Sequence, residues 1–340
     1  MNSKKRIFRI PIFVPHKGCP HDCVFCNQKK ITGHTDQCTP QSVAAITDKY
    51  IKSILKKCKR EDAYIEIAYF GGSFTGIEFE LQKQYMQAAN KYLMQGKIDG
   101  IRCSTRPDYI DDNILCMLKQ YGITTIELGV QTTDSECLKL SNRGHSFEDV
   151  KNASELIKNH GINLGLQMMT GLPGDTPQKS LKTADDIIAL NPQCVRIYPT
   201  LVMEGTHLYT MYKNGEYKPF NLEQTVCLCA QLAEKFNNNN IEIIRIGLQT
   251  TDEINKDTVI GPYHPALAEL CYGRLERNKI EKYIIENNLK NVRLKIESPK
   301  QKFSQIIGHS KENCIYFKNK YNIDIKLCQS EQFKISIIDY

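Results

Sequence analysis

Apolar residues along this chain fall into short runs separated by amphipathic stretches, and the alternation is regular between residues 64 and 198. Tyr64-Ile-Glu-Ile-Ala-Tyr-Phe70 is a strand-like run that stops at Gly71-Gly72, and residues 78–93 carry the three-to-four-residue apolar spacing of a helix. Strand-like runs return at residues 98–103, 124–130, 163–169 and 194–198, with helical stretches over 147–160 and 177–190. Successive βα units predict an α/β fold, a right-handed wound parallel sheet with its chemistry at the C-terminal ends of the strands.

Beyond this rhythm the pattern changes. A core over residues 1–225 is expected, followed by an extension over 226–340. In the extension Asn237 to Asn240 mark a turn before a strand at 241–248, and Gly261-Pro-Tyr-His-Pro265 leads into a helix over 267–277. β-branched runs at 292–296 and 323–327 predict a small α/β appendage, expected to pack on the mouth of the core. Tyr198 and Tyr263 are candidates to line a cavity, and His264 reads as a turn histidine with a structural bond.

Composition narrows the class. The chain has 340 residues, 41% hydrophobic and 24% charged, without a low-complexity tract, which excludes a fibre or a disordered tail. The basic start Met1-Asn-Ser-Lys-Lys-Arg6 is followed by an apolar stretch that Pro11 and Pro15 interrupt, so no secretory signal is expected. No transmembrane run is present in the sequence, and a cytoplasmic protein is expected. A net charge of +7 modestly favours a nucleic-acid partner, but the basic residues are scattered. The denser groups, such as Lys56-Lys57-Cys58-Lys59-Arg60, read as solvated faces.

Of the fourteen cysteines, most lie within periodic apolar segments. Cys103, Cys116, Cys137, Cys194 and Cys271 read as small buried hydrophobes in a reducing compartment. Cys227 and Cys229, two apart on a helical stretch, face different directions and form no joint site. Cys19-Pro-His-Asp-Cys23-Val-Phe-Cys26 is different, because three thiolates at C-x3-C-x2-C spacing can hold three irons of a cubane cluster and leave the fourth open. A structural zinc site would need a further donor, for which His16, His21, His34 or Cys38 is near enough in sequence.

Placed after a strand-like segment and followed by Gly71-Gly72-Ser73-Phe74, this cysteine loop resembles that of the radical S-adenosylmethionine (radical SAM) superfamily. The resemblance implies a partial (β/α)6 TIM-like barrel with a small C-terminal α/β extension. It also implies a [4Fe-4S] cluster on Cys19, Cys23 and Cys26, whose open iron is chelated by the amino and carboxylate groups of S-adenosyl-L-methionine. Reductive cleavage of that sulfonium gives methionine and a 5′-deoxyadenosyl radical, with an electron from a reductant such as flavodoxin or ferredoxin. Phe25 would pack near the adenine side. The backbone of Gly71 and Gly72 would meet the amino group, with Ser73 where an acidic residue is common. Gln131 and Arg143 match cofactor contacts in the branch containing oxygen-independent coproporphyrinogen oxidase, the Arg through the cofactor's carboxylate. Ser104 stands where a ribose-binding Glu is usual, so the ribose would lean on Arg106, Asp108 or Gln131. The loop Gly171-Leu-Pro173-Gly174 would pass near the adenine, with Met168 or Met169 as a ring contact.

A closer resemblance is to the radical SAM part of the Elongator catalytic subunit. It is carried by Gly71-Gly72-Ser73-Phe74, Thr105-Arg-Pro-Asp108, Glu127-Leu-Gly-Val-Gln-Thr132, Gly171-Leu-Pro-Gly174, Arg196-Ile-Tyr-Pro199, Glu204-Gly-Thr206 and Arg245-Ile-Gly-Leu-Gln249. It implies a tRNA-related substrate. No stretch is expected to form the acetyltransferase domain of that enzyme or its amino-terminal tRNA-binding extension. The alternatives are a porphyrinogen-oxidase-like or haem-handling relative, and a non-catalytic iron–sulfur or RNA-binding protein.

Overall fold

The computed structural model describes residues 5–14, 23–26, 38–248, 250 and 254–338. In chain order the first elements are β1 (Arg6–Val14), α1 (Ser42–Leu55), β2 (Ala63–Gly71), α2 (Phe79–Met94), β3 (Gly100–Thr105), α3 (Asp112–Gln120) and β4 (Ile123–Gln131). Next come α4 (Ser135–Leu140), α5 (Phe147–Asn159), β5 (Asn163–Thr170), α6 (Pro177–Ala189), β6 (Cys194–Pro199), β7 (Val202–Met203), α7 (His207–Lys213), α8 (Leu222–Asn238) and β8 (Glu242–Ile246). The chain continues with β9 (Val259–Ile260), α9 (Leu267–Glu286), β10 (Arg293–Ser298), α10 (Phe303–Ile307), α11 (Glu312–Tyr321), β11 (Asp324–Gln329) and β12 (Lys334–Ile338).

A parallel sheet of seven strands in the order β1-β2-β3-β4-β5-β6-β8 forms a curled half-barrel with helices outside. Local sequence sets the helix starts. Ser146 and Asp149 make a reciprocal capping box on α5, Thr176 caps α6 with Pro177 in the first turn, and Asn221 and Gln224 box α8. The central strands β2 to β6 are buried on both faces over most of their length, and Ile65, Ile67, Ile101, Ile126, Leu164 and Val195 join one continuous core with the inner faces of the helices.

The parallel half-barrel is as expected, and β8 adds a seventh strand by pairing in parallel with β6 from Cys194↔Glu242 to Ile197↔Ile246; residue 225 lies inside α8. Three other expectations need correction. The helix foreseen at 267–277 runs to Glu286 because its two halves serve two cores. Leu267, Leu270, Cys271 and Leu275 belong to the main one, whereas Ile280 and Ile284 pack with Leu294, Ile296, Ile306, Phe317 and Ile323. The three-stranded sheet β11-β10-β12 is therefore built on the second half of α9, not over the mouth of the half-barrel, and among the described residues none after Ile254 lines the large cavity there. Finally, Cys116 is exposed, while Cys103, Cys137, Cys194 and Cys271 are buried as expected.

Cys227 is half-buried beside Glu223 and Arg274, and Cys229 is buried against Cys271, so the two thiols do face apart. His264 accepts the Ala266 N–H at 3.1 Å through Nδ1, the structural bond foreseen for it. Among the described residues no helix is long and apolar enough to cross a membrane.

Candidate active site

A cavity of about 470 Å³ opens at the C-terminal ends of the strands. Cys23, Phe25 and Cys26 line it. The Cys26 N–H donates to the Cys23 carbonyl at 2.9 Å, which closes a tight turn that turns both thiols toward the same space. Two backbone bonds anchor the turn: Val24 donates to the Ser141 carbonyl at 3.2 Å, and Leu208 donates to the Val24 carbonyl at 2.7 Å. Val24 packs in a small cluster with Val202, Leu208 and Tyr217, and Phe25 leans on the same cluster. Cys19, His16, His21 and His34 lie outside the described residues. Cys38 does not line the cavity; its Sγ sits 3.1 Å from Ser42 Oγ, and burial raises its pKa. Two soft sulfur donors on one short loop facing a roomy cavity fit an iron–sulfur cluster.

Gly71, Gly72 and Ser73 line the cavity at the end of β2. Gly71 has φ +112°, and a Cβ there would meet the Val14 carbonyl oxygen at 2.7 Å, so only glycine lets β1 and β2 run together to this point. Ser73 is buried, with Oγ 2.7 Å from Thr105 Oγ1 and accepting the Arg106 N–H at 3.1 Å. It ties the ends of β2 and β3 together. Ser104 and Arg106 line the cavity from β3, and Arg106 donates to both carboxylate oxygens of Asp108 at 2.9 and 2.8 Å.

At the end of β4 the backbone leaves the sheet at Gln131, which has φ +67°, and the Thr132 N–H donates to the Val130 carbonyl at 2.9 Å. A non-glycine residue forced to positive φ in a γ-type turn is costly, and it places the Gln131 side chain on the cavity wall, where its Oε1 accepts from Gln167 Nε2 at 3.1 Å. Arg143 reaches the same wall: Nη2 donates to the Gly129 carbonyl at 2.7 Å and Nη1 lies 3.5 Å from Cys23 Sγ. Behind it His145 is buried, and burial together with the Arg143 and Arg106 guanidinium groups lowers its pKa to about 4.

Not every expected residue joins them. Met168 is fully buried in the main core and does not line the cavity; strand alternation gives that place to Met169. Tyr198 lines the cavity, whereas Tyr263 does not, its hydroxyl lying 2.9 Å from Thr250 Oγ1. Gly171 and Gly174 are not on the wall; the Gly171 carbonyl accepts from Tyr217, which braces the loop from behind.

The barrel floor holds what the strand pattern concealed. Arg9, Glu66, Arg102, Glu127 and Arg196 form one ionic network across the inner face. Arg102 grips Glu66 through Nε and Nη2 at 3.0 and 3.3 Å and Glu127 through Nη1 at 2.7 Å. Arg196 holds Glu127 through Nη2 at 3.1 Å and through Nε, and Arg9 Nε is 3.3 Å from Glu66. A Cβ on Gly165 would lie 2.9 Å from Glu127 Cγ, so the bare backbone of β5 lets Glu127 on β4 reach Arg196 on β6. Burial by itself would raise the Glu127 carboxyl, but Arg196 and Arg102 outweigh it and hold it below its ordinary value. The signal was present as single charges, Glu66, Arg102, Glu127 and Arg196, inside otherwise apolar strands.

Comparison with known proteins places this arrangement. The tRNA uridine(34) acetyltransferase of Methanocaldococcus infernus is 33% identical over 243 residues, 61% of this chain and 46% of that protein. Human Elongator complex protein 3 is 27% identical over 262 residues, 64% of this chain and 47% of its own length. The chain thus spans about half the length of these relatives. An uncharacterized Methanocaldococcus jannaschii protein is 26% identical over 296 residues, covering 84% of this chain and 87% of that one. The solved structure of Methanocaldococcus infernus Elp3 with an N-terminal deletion shares the fold, with a TM-score of 0.59 at 24% identity over 85% of this chain and 65% of that one. A sequence profile of the radical SAM C-terminal domain matches residues 192–277. The profile of the radical SAM superfamily itself matches residues 13–187, more than half the chain, and the chain belongs to that superfamily.

Proposed function

We propose that this chain is a radical enzyme that holds a [4Fe-4S] cluster on Cys19, Cys23 and Cys26, binds S-adenosyl-L-methionine beside it, and abstracts hydrogen from a substrate. The observation that carries the reading is convergence: Cys23, Cys26, Gly71, Gly72, Gln131 and Arg143 come from four separate stretches of sequence and line one cavity. When bound and reduced, the cluster supplies the electron that splits the sulfonium into methionine and a 5′-deoxyadenosyl radical.

The residues of the chain bind, orient and shield. Arg143, already bonded to the Gly129 carbonyl, grips the carboxylate of the cofactor, because a guanidinium offers parallel donors at that spacing. The backbone at Gly71 and Gly72 accepts from its amino group, and Gln131 and Ser104 hydrogen-bond the nucleoside, with Arg106 fixed alongside by Asp108. Phe25 covers the adenine side. Ser73, engaged with Thr105, shapes this wall rather than supplying charge. A reductant such as flavodoxin or ferredoxin delivers the electron in the cytoplasm. A tRNA-related substrate is favoured by the relatives named as tRNA uridine(34) acetyltransferases.

The test is iron and sulfide content of anaerobically reconstituted protein, with 5′-deoxyadenosine release under strong reductant. About four irons per chain with cleavage is expected; zinc, or an inert cluster, overturns the reading. Cys23→Ala and Cys26→Ala should each lose the cluster's charge-transfer absorbance and all cleavage, and either one retaining both would remove that cysteine from the ligand set.

A further inference from the structure

We propose that the β8 side of the cavity is an oxyanion subsite, with Arg245 as its anchor, which seats a carboxylate or phosphate group of the substrate. The identity of that occupant as substrate rests on the function proposed above; the anion site itself does not.

Among the described residues four arginines line the cavity, Arg106, Arg143, Arg196 and Arg245, against one acid, Glu127. Asp108 takes up Arg106 through two bonds, and Glu127 is shared between Arg196 and Arg102. Arg143 and Arg245 are left without a carboxylate among the described residues. Arg143 stands beside Cys23, where the cofactor's carboxylate would take it. Arg245 stands on another strand; among the described residues only its Nε is engaged, donating to the Gly247 carbonyl at 2.9 Å. Its two terminal nitrogens are the edge of the guanidinium that grips an oxyanion end-on through two parallel hydrogen bonds.

Register sharpens the point. Gln167, Arg196 and Arg245 are direct neighbours across β5, β6 and β8, and all three line the cavity. Like charges on directly adjacent strand positions repel, and here Glu127 neutralises only Arg196. An anion seated against Arg245 would relieve that repulsion, with the Gln167 amide in the same row and Tyr198, also on the wall, as further donors.

The test uses the full, anaerobically reconstituted chain and the arginine reagent phenylglyoxal, with adduct formation at each arginine followed by peptide mass spectrometry. Inorganic phosphate or propionate should slow modification of Arg245 several-fold and leave the exposed Arg293 unchanged. Protection by phosphate alone points to a phosphate ester, such as an RNA backbone, and protection by propionate alone to a carboxylate. In calorimetric titration of the better anion, Arg245→Gln should weaken binding about tenfold, with Arg245→Lys between the two. Unchanged Arg245 modification with both anions, protection confined to Arg143, or equal binding by wild type and Arg245→Gln overturns the subsite. Absence of S-adenosylmethionine cleavage by the wild-type chain, with Arg245 still protected, instead defeats the functional reading alone.

Discussion

Gly71 and His145 do different work within reach of the same cavity. Alanine at position 71 would put its Cβ 2.7 Å from the Val14 carbonyl and hold an L residue at φ +112°, a strain of about 1–3 kcal/mol. Urea denaturation of Gly71→Ala should show that loss, and an unchanged midpoint would mean that β1 yields freely at its end. His145 makes stability depend on pH. Its folded pKa, about 4, lies below the ordinary value near 6.5, so in the interval between them the unfolded chain binds a proton that the folded chain does not. That contribution is full above about pH 6.5 and is lost as pH falls toward about 4, amounting to about 2 kcal/mol between pH 7.5 and 5. Urea midpoints at those two pH values should converge in His145→Asn relative to wild type; an equal drop in both proteins would assign the acid sensitivity elsewhere.

At the scale of elements, the ionic network fixes how β1, β2, β3, β4 and β6 sit beneath the cavity. Apart from the half-buried Arg9, its charges are almost fully desolvated, so removing one partner leaves others stranded, at a cost of about 3–5 kcal/mol. Glu127→Gln strands part of both Arg102 and Arg196, and thermal and urea unfolding should register a loss of that order; a loss under about 1 kcal/mol would mean that water or a shifted side chain compensates. The strands and helices that build this floor were legible because apolar runs of five to nine residues between glycine or proline signals leave little freedom for a parallel α/β sheet. β2, β4 and β5 appear within a residue or two of the expected places. The cysteine loop, Gly71-Gly72, Gln131 and Arg143 were legible as candidates for one cavity, the first three because each follows a strand end and Arg143 because it closes the next loop. The network was not, since periodicity places a charge on a face without saying which opposite charge it meets across an intervening strand, and the Gly165 gap that joins Glu127 to Arg196 is visible only in three dimensions. The choice between Met168 and Met169 stayed open in the sequence for a related reason: with two adjacent methionines, one residue of register decides which faces the cavity, and it is Met169 that lines it.

The molecule as a whole carries two apolar cores along one helix, and α9 is the beam between them. Its first half closes the main core against α8, and its second half, with Ile280 and Ile284, closes the smaller one with the β11-β10-β12 sheet. No described residue of that smaller unit lines the cavity, so its stability should be separable from the site. Phe317 is fully buried at its centre, and Phe317→Ala should cost about 3–5 kcal/mol there through lost transfer energy and an unfilled cavity. A unit of some fifty residues with a core this small has little stability to spare, so local opening should precede global unfolding. Amide exchange should therefore quicken across residues 293–338 and the last two turns of α9 while protection of β2 to β5 stays as in wild type. Equal acceleration in β2 to β5 would show instead that α9 transmits the loss and that the chain unfolds as one cooperative block.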